Sequence, residues 1–183
     1  MKRVLLIATV LFISVISTAC INNFAVQELN VKAKEFMDKG DYVSAVERLK
    51  SSTDLAPTAF ETWYNLAVAY TKLDNYIDAI NAYNKVIELN PTFADAYYSL
   101  AVCEENLIID IKNGVITIDE NGNPVKTDVM EDKLTENEQE FINGMTQDVI
   151  KHYEEFIKYS EDEAKKQSAQ TQIDELNQKA EME

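Results

Sequence analysis

Glycine and proline are scarce, at four and three residues in a chain of 183. Sheet-rich and low-complexity chains draw on many more of these turn and breaker residues, so long regular elements are expected instead. Two cysteines, Cys20 and Cys103, are too few for a disulfide framework. The single histidine, His152, gives a zinc site or a histidine-dependent mechanism little to converge on. Basic residues are outnumbered, 17 Lys and Arg against 32 Asp and Glu, for a net charge of −15. Phosphate contact needs a basic face, which excludes nucleic-acid binding and a polybasic membrane patch. The chain has no glycine-rich phosphate loop, nucleophile elbow or paired-carboxylate motif. These absences leave a helical domain that works through its surface.

What is present is helical periodicity, clearest from Phe60 to Phe93. Trp63, Leu66, Ala67 and Tyr70 recur at three- and four-residue steps, which places them on one helix face. Ala79, Ile80, Tyr83, Val86 and Ile87 repeat the pattern on a second helix. The stretch Leu73-Asp74-Asn75-Tyr76 interrupts the two, and Pro91 stops the second. Small Ala67 and Ala79 allow the pair to approach closely. Stepping back 34 residues turns Tyr76, Ala79 and Pro91 into Tyr42, Ala45 and Pro57, and Ala67 and Tyr70 into Ala33 and Phe36. Stepping forward by the same amount gives Tyr97, Leu100 and Ala101. A fixed period of this size predicts an all-α solenoid of stacked helix pairs.

Trp63, Leu66, Ala67, Tyr70, Ala79, Tyr83 and Pro91 make this unit resemble the tetratricopeptide repeat (TPR) family, whose pattern is W-x2-L-G-x2-Y, A-x3-F, P. Ala67 replaces the glycine and keeps the position small. The resemblance implies repeats over 26–59, 60–93 and 94–160, the third interrupted, with a solvating helix over 161–183. In the first repeat Leu29 takes the Trp63 place and Lys32 the Leu66 place, as suits a polar end cap. Gly40 supplies the turn between its helices. Thr58 with Glu61 and Thr92 with Asp95 have capping-box spacing ahead of the next first helices.

The third unit resumes late. Val149, Ile150, Tyr153, Phe156 and Ile157 match the second-helix positions at an offset of 70, which leaves an insertion over about 110–134. Within it, alternation around Asn121-Gly122 predicts a β-hairpin. Thr135 with Glu138 predicts the cap of a long helix to about Tyr159, and Ser160 with Glu163 the start of the last one.

The N-terminus reads as a secretory signal: Lys2 and Arg3, an apolar run from Val4 to Ile16, then Ser17, Thr18 and Ala19. Ala19-Cys20 makes it resemble a lipoprotein signal over 1–19, with Cys20 carrying acyl chains such as palmitate and residues 20–25 as anchor and linker. Ser17 stands three before Cys20, where the family usually has an aliphatic residue. An uncleaved anchor helix and a plain signal peptide are the alternatives. Loss of Lys2 and Arg3 would take the net charge from −15 to −17. The two basic residues hold the start in the cytoplasm and send the domain outward. Ile21 after the cysteine implies outer-membrane sorting where the source has two membranes, and otherwise a cell-surface location.

Cys103 is expected to be a small buried apolar residue and His152 a helix-edge residue. Asp119 to Asn123 shares the D-x-N-x-N spacing of a calcium loop, but its glycine is misplaced, and a hairpin turn is the reading. The resemblance places a concave peptide-binding groove on the first helices. Its residues would be Asn30 and Lys34; Glu61, Tyr64, Asn65, Val68 and Lys72; and Asp95, Tyr98, Ser99, Val102 and Glu105. Tyr64 and Tyr98, one repeat apart, are expected either as stacked aromatic anchors or as packing against neighbouring helices. Asp95 and Ser99 stand where one family branch carries the Lys and Arg that grip a C-terminal carboxylate. A partner segment of basic and apolar character is therefore expected. The function expected is an anchored protein-binding scaffold, not an enzyme, without cofactor, metal or small-molecule substrate. The alternatives are binding through the hairpin insertion with the repeats as pedestal, and a metal-dependent enzyme built on Asp119 and His152.

Overall fold

The computed structural model describes residues 23–127 and 133–180, so the expected signal over 1–19 and the lipid site at Cys20 lie outside the described residues. Its elements run α1 (residues 23–38), α2 (Tyr42–Leu55), α3 (Phe60–Thr71), α4 (Tyr76–Leu89), α5 (Ala94–Lys112), β1 (Ile116–Ile118), β2 (Pro124–Lys126), α6 (Glu136–Tyr159) and α7 (Glu163–Ala180). This is the all-α solenoid, with a hairpin set into the third helix pair and a closing helix. α1 is already helical at residue 23, ahead of the expected start at Val26, because no Gly or Pro stands there to stop it. α5 runs to Lys112, into the span expected for the insertion, because Ile108 and Ile111 continue its buried face.

The first helices of all three pairs end in one way. Asp41 N–H donates to Phe36 O and Gly40 N–H to Met37 O. The same pair of bonds joins Asn75 to Tyr70 and Asp74 to Thr71, and again Val115 to Asp110 and Gly114 to Ile111. These are Schellman ends, which need a left-handed residue. Gly40 (φ 76°), Asp74 (φ 52°) and Gly114 (φ 68°) provide it. Second helices close alike too: Ala56 N–H reaches Ser52 O, Asn90 N–H reaches Val86 O, and Ser160 N–H reaches Phe156 O.

Three of the expected helix starts differ. α3 and α5 begin after Ala59 and Phe93, with no side-chain cap. Thr92 instead bonds the Asn90 side chain. Chain entry is fixed from within the helix, by Trp63 Nε1–H donating to Pro57 O (2.9 Å) and Tyr97 O–H donating to Pro91 O (3.0 Å). At α7 the cap is Asp162, which accepts Lys165 N–H at 3.0 Å. Ser160 is occupied as the residue ending α6. The Thr135–Glu138 capping box forms as expected.

The core grows stepwise. Ala33, Ala45, Leu49, Leu66 and Ala69 join the first pair to the second. Ala67, Ala79, Tyr83, Val86, Leu100 and Cys103 join the second to the third. The third cluster gathers Val149, Tyr153 and Phe156 of α6, Ile116 and Ile118 of β1, and Ala169 and Ile173 of α7. Val149, Ile150, Tyr153 and Phe156 are all buried, so the matched positions resume beyond the insertion. The outer face of the first pair is polar, with Lys32 and Glu28 paired across one turn. In the hairpin Thr117 faces Val125, and Asp119 N–H closes the loop on Asn123 O. Gly122 takes φ 81°, the left-handed bulge of a three-residue loop. No helix of the described residues is long and apolar enough to cross a membrane.

Candidate functional site

The first helices are tied side by side: Asn30 Nδ2–H donates to Thr62 Oγ1 (3.1 Å), and Thr71 Oγ1 lies 3.2 Å from Cys103 Sγ. Of the twelve groove residues, Lys34, Glu61, Asn65, Lys72 and Asp95 are exposed, and the other seven are half-buried. Three of them converge. Asn30, Lys34 and Asn65 line an open cleft of about 490 Å³ between α1 and α3, together with Val31, Met37, Asp38 and Leu49. Lys34 has Asp38 at 3.7 Å as a weak exposed partner.

The remaining positions are used differently. Tyr64 sets its ring edge-on to Tyr83 (5.8 Å) and Phe93 (5.1 Å). Tyr98 does the same with Tyr153 (5.7 Å) and lies 5.0 Å from Phe156. The two tyrosines are thus packing partners of neighbouring helices, the second of the two expectations, and not a stacked pair. Glu105 accepts the Tyr153 hydroxyl at 2.6 Å, so α6 already holds its carboxylate. Burial and then Glu105 push the Tyr153 hydroxyl far above its ordinary range. Asp95 has Lys165 of α7 at 3.5 Å.

The residues singled out for chemistry are structural here. Cys103 is fully buried, and desolvation pushes its thiol up to about 11. It packs in the core beside Thr71, as a small buried residue. His152 Nδ1 lies 2.8 Å from Glu104 Oε2 in the α5–α6 interface. Asp119 Oδ1 accepts the N–H groups of Asn121 (2.9 Å) and Asn123 (2.8 Å), a turn device. Among the described residues no three or more His, Cys, Asp or Glu side chains group as a metal site requires.

Tetratricopeptide repeat models match residues 60–93 and 82–125. The chain is a tetratricopeptide repeat protein. The TPR architecture recurs in the second TPR domain of human RPAP3 in complex with the HSP70 peptide SGPTIEEVD, at TM-score 0.58 and 13% identity over 85% of this chain and 98% of that one. The TPR2B domain of yeast Sti1 in its pHsp70 complex gives 0.56 at 20% identity, over 87% and 98%. The Sgt2 TPR domain from Aspergillus fumigatus gives 0.55 at 13%, over 84% and 82%. At these identities the likeness is one of fold. No curated protein matches the chain in sequence.

Within the TPR frame, five of the eight cleft residues lie outside the twelve, and two of these repeat groove positions. Val31 and Asp38 are the 34-residue mates of Asn65 and Lys72, so the repeat step already marked them. Lys165 had no such signal, because its pairing with Asp95 depends on where α7 docks.

Proposed function

We propose that this chain is a membrane-tethered scaffold outside the cytoplasm that holds an extended protein segment across its first helices. The cleft between α1 and α3 carries the reading: the Asn65 amide, the Lys34 ammonium and Asn30, held by Thr62, line it together with apolar Met37 and Leu49. Backbone groups of an extended segment would meet the Asn65 amide while one apolar side chain packs against Met37 and Leu49. The peptide complexes of the RPAP3 and Sti1 TPR domains support capture of a segment by this architecture. Exposed Glu61 and Asp95 and the net charge of −15 favour basic residues elsewhere in that segment.

The tether rests on sequence: Lys2 and Arg3, the apolar run and Ala19-Cys20 support lipidation of Cys20 after cleavage. Participation in envelope, pilus or secretion assembly is an analogy from fold.

A photo-crosslinking residue at Val31 or Asn65 should trap a partner polypeptide on intact cells. The same group at Asn84, exposed on α4, should not. Equal trapping from all three positions would refute the groove. Labelled palmitate should enter the chain and be lost in Cys20→Ser; unchanged labelling would refute the anchor.

A further inference from the structure

The hairpin insertion builds a second cleft, at the edge of the solenoid where the helix turns lie. About 400 Å³ in volume, it opens between the α3–α4 turn, the last turn of α5 and the hairpin. None of its lining residues belongs to the groove. Leu73 and Val115 form an apolar rim, exposed by 38% and 47%. Val125 and Ile109, also exposed, are sequence neighbours of the lining residues Lys126 and Asp110.

Charge in the cleft is unbalanced. Asp74 and Asp110 both line it, with Lys126 as the single cation. Asp74 accepts the Tyr76 hydroxyl at 2.9 Å. The Asp110 carboxylate has no side-chain hydrogen bond and no ion pair within 4.0 Å among the described residues. Burial, and then the Asp74 charge, push Asp110 upward while Lys126 pulls it down. Two carboxylates against one ammonium leave a place for one more positive charge, beside an aliphatic rim.

We propose that this edge cleft takes a single basic side chain, Lys or Arg, flanked by an aliphatic residue in an extended segment of a partner protein. A long cationic side chain is complementary on both counts: its methylene stem covers Leu73 and Val115 while its head meets Asp74 and Asp110. The volume lies at the lower end of the roughly 300–1,000 Å³ used for small ligands, which suits one side chain and not a folded domain. This site stands independently of the groove.

The test is an NMR titration of the full chain in detergent micelles with acetyl-Leu-Arg-Leu-amide, and with acetyl-Leu-Glu-Leu-amide as control. The basic peptide should shift amides over residues 73–77, 110–116 and 126, and the acidic one should not. Asp74→Asn and Asp110→Asn should each weaken binding by about 2- to 5-fold, the range for one exposed ion pair. Lys126→Met should tighten it by a similar factor. Asparagine tolerates the left-handed backbone at position 74, so that variant keeps the turn, and circular dichroism checks both. Shifts that are absent, equal for both peptides, or concentrated at Asn30, Lys34 and Asn65 would overturn the proposal. Lys34→Glu with Asn65→Ala should disable the groove and leave this titration unchanged, so the two sites fail separately.

Discussion

Glu104 and His152 face each other in the α5–α6 interface, 2.8 Å apart. Glu104 is only 4% exposed, and desolvation raises its carboxyl above the ordinary range; the bond and charge of His152 counter this, and nearby Asp148 adds to it. A carboxyl whose folded pKa lies above its unfolded value binds more protons folded than unfolded. Its contribution to stability is therefore complete below the unfolded value and declines as pH rises through the folded one. Within that window the group contributes up to about 1.4 kcal/mol per pH unit. Glu104→Gln keeps the shape and a hydrogen-bonding side chain but cannot titrate. Urea unfolding followed by circular dichroism between pH 4 and 8 should show wild-type stability falling relative to the variant as pH rises from about 4.5. His152→Gln removes the countering charge and should carry the decline to higher pH. A wild-type-minus-Glu104→Gln difference that is flat across the range, or grows with pH, would refute a buried, upward-shifted carboxyl at this interface.

Other consequences can be measured on the same scale. Ser52 Oγ is buried without a hydrogen-bond partner among the described residues, and Val86 occupies the same place one repeat on, so Ser52→Ala should raise unfolding free energy by about 1 kcal/mol. Gly40 sits at φ 76° with open space where a Cβ would go, so Gly40→Ala should cost about 1 kcal/mol through backbone strain alone. Trp63→Phe and Tyr97→Phe each remove one bond to a proline carbonyl and should lose similar stability, about 1 kcal/mol apiece in denaturant melts. Burial pushes Glu138 up, but bonds from Thr135, Thr117 and Ile118 outweigh it and hold the carboxyl below its usual range. Its stabilisation is therefore present above the ordinary carboxylate pKa and lost as pH falls through the lowered one. Thr117→Ala should cost about 1.5 kcal/mol or more at pH 7. In unfolding titrations that difference should shrink toward pH 3.

Much of this architecture is legible in the sequence because the repeat step fixes which residues face inward. Ala67, Ala79, Tyr83 and Val86 are buried where the periodicity puts them, and Tyr153 and Phe156 are buried beyond a long interruption. Asn121-Gly122 marks the hairpin, and the buried Cys103 follows from its place on α5. The helix starts are less legible. Thr58 and Thr92 have the right spacing, but Trp63 and Tyr97 reach back to Pro57 and Pro91 and set the entry themselves. Local pattern does not reveal a bond between residues six apart that depends on ring orientation. The expected groove positions are a similar case. The repeat step says which residues point toward a partner but not which are already held. Glu105, Tyr64 and Tyr98 hold groove positions in the repeat frame and are engaged by neighbouring helices.

The repeat geometry also explains how the chain carries an insertion without losing its stack. Glu105 and Tyr153 are bonded, and their counterparts one repeat earlier, Thr71 and Tyr83, also lie near enough to interact. Ser160 closes α6 on Phe156 as Asn90 closes α4 on Val86. The third pair therefore meets at the same positions as the second, although 36 more residues separate its helices. Seven of those residues lengthen α5 and ten lengthen α6, and the hairpin follows α5 at the turn edge. There the hairpin buries Ile116 and Ile118 against α5 and α6 and is bonded to α6 through Thr117 and Glu138. Growth at the edge lengthens α5 and α6 and leaves the contacts that pair them in place, so a solenoid of this kind can gain new surface at its turns without losing its stack. Asp74 stands where that growth meets the older repeat: Gly40 fills its position one repeat earlier, and only at Asp74 does the left-handed residue bring a carboxylate to face the insertion.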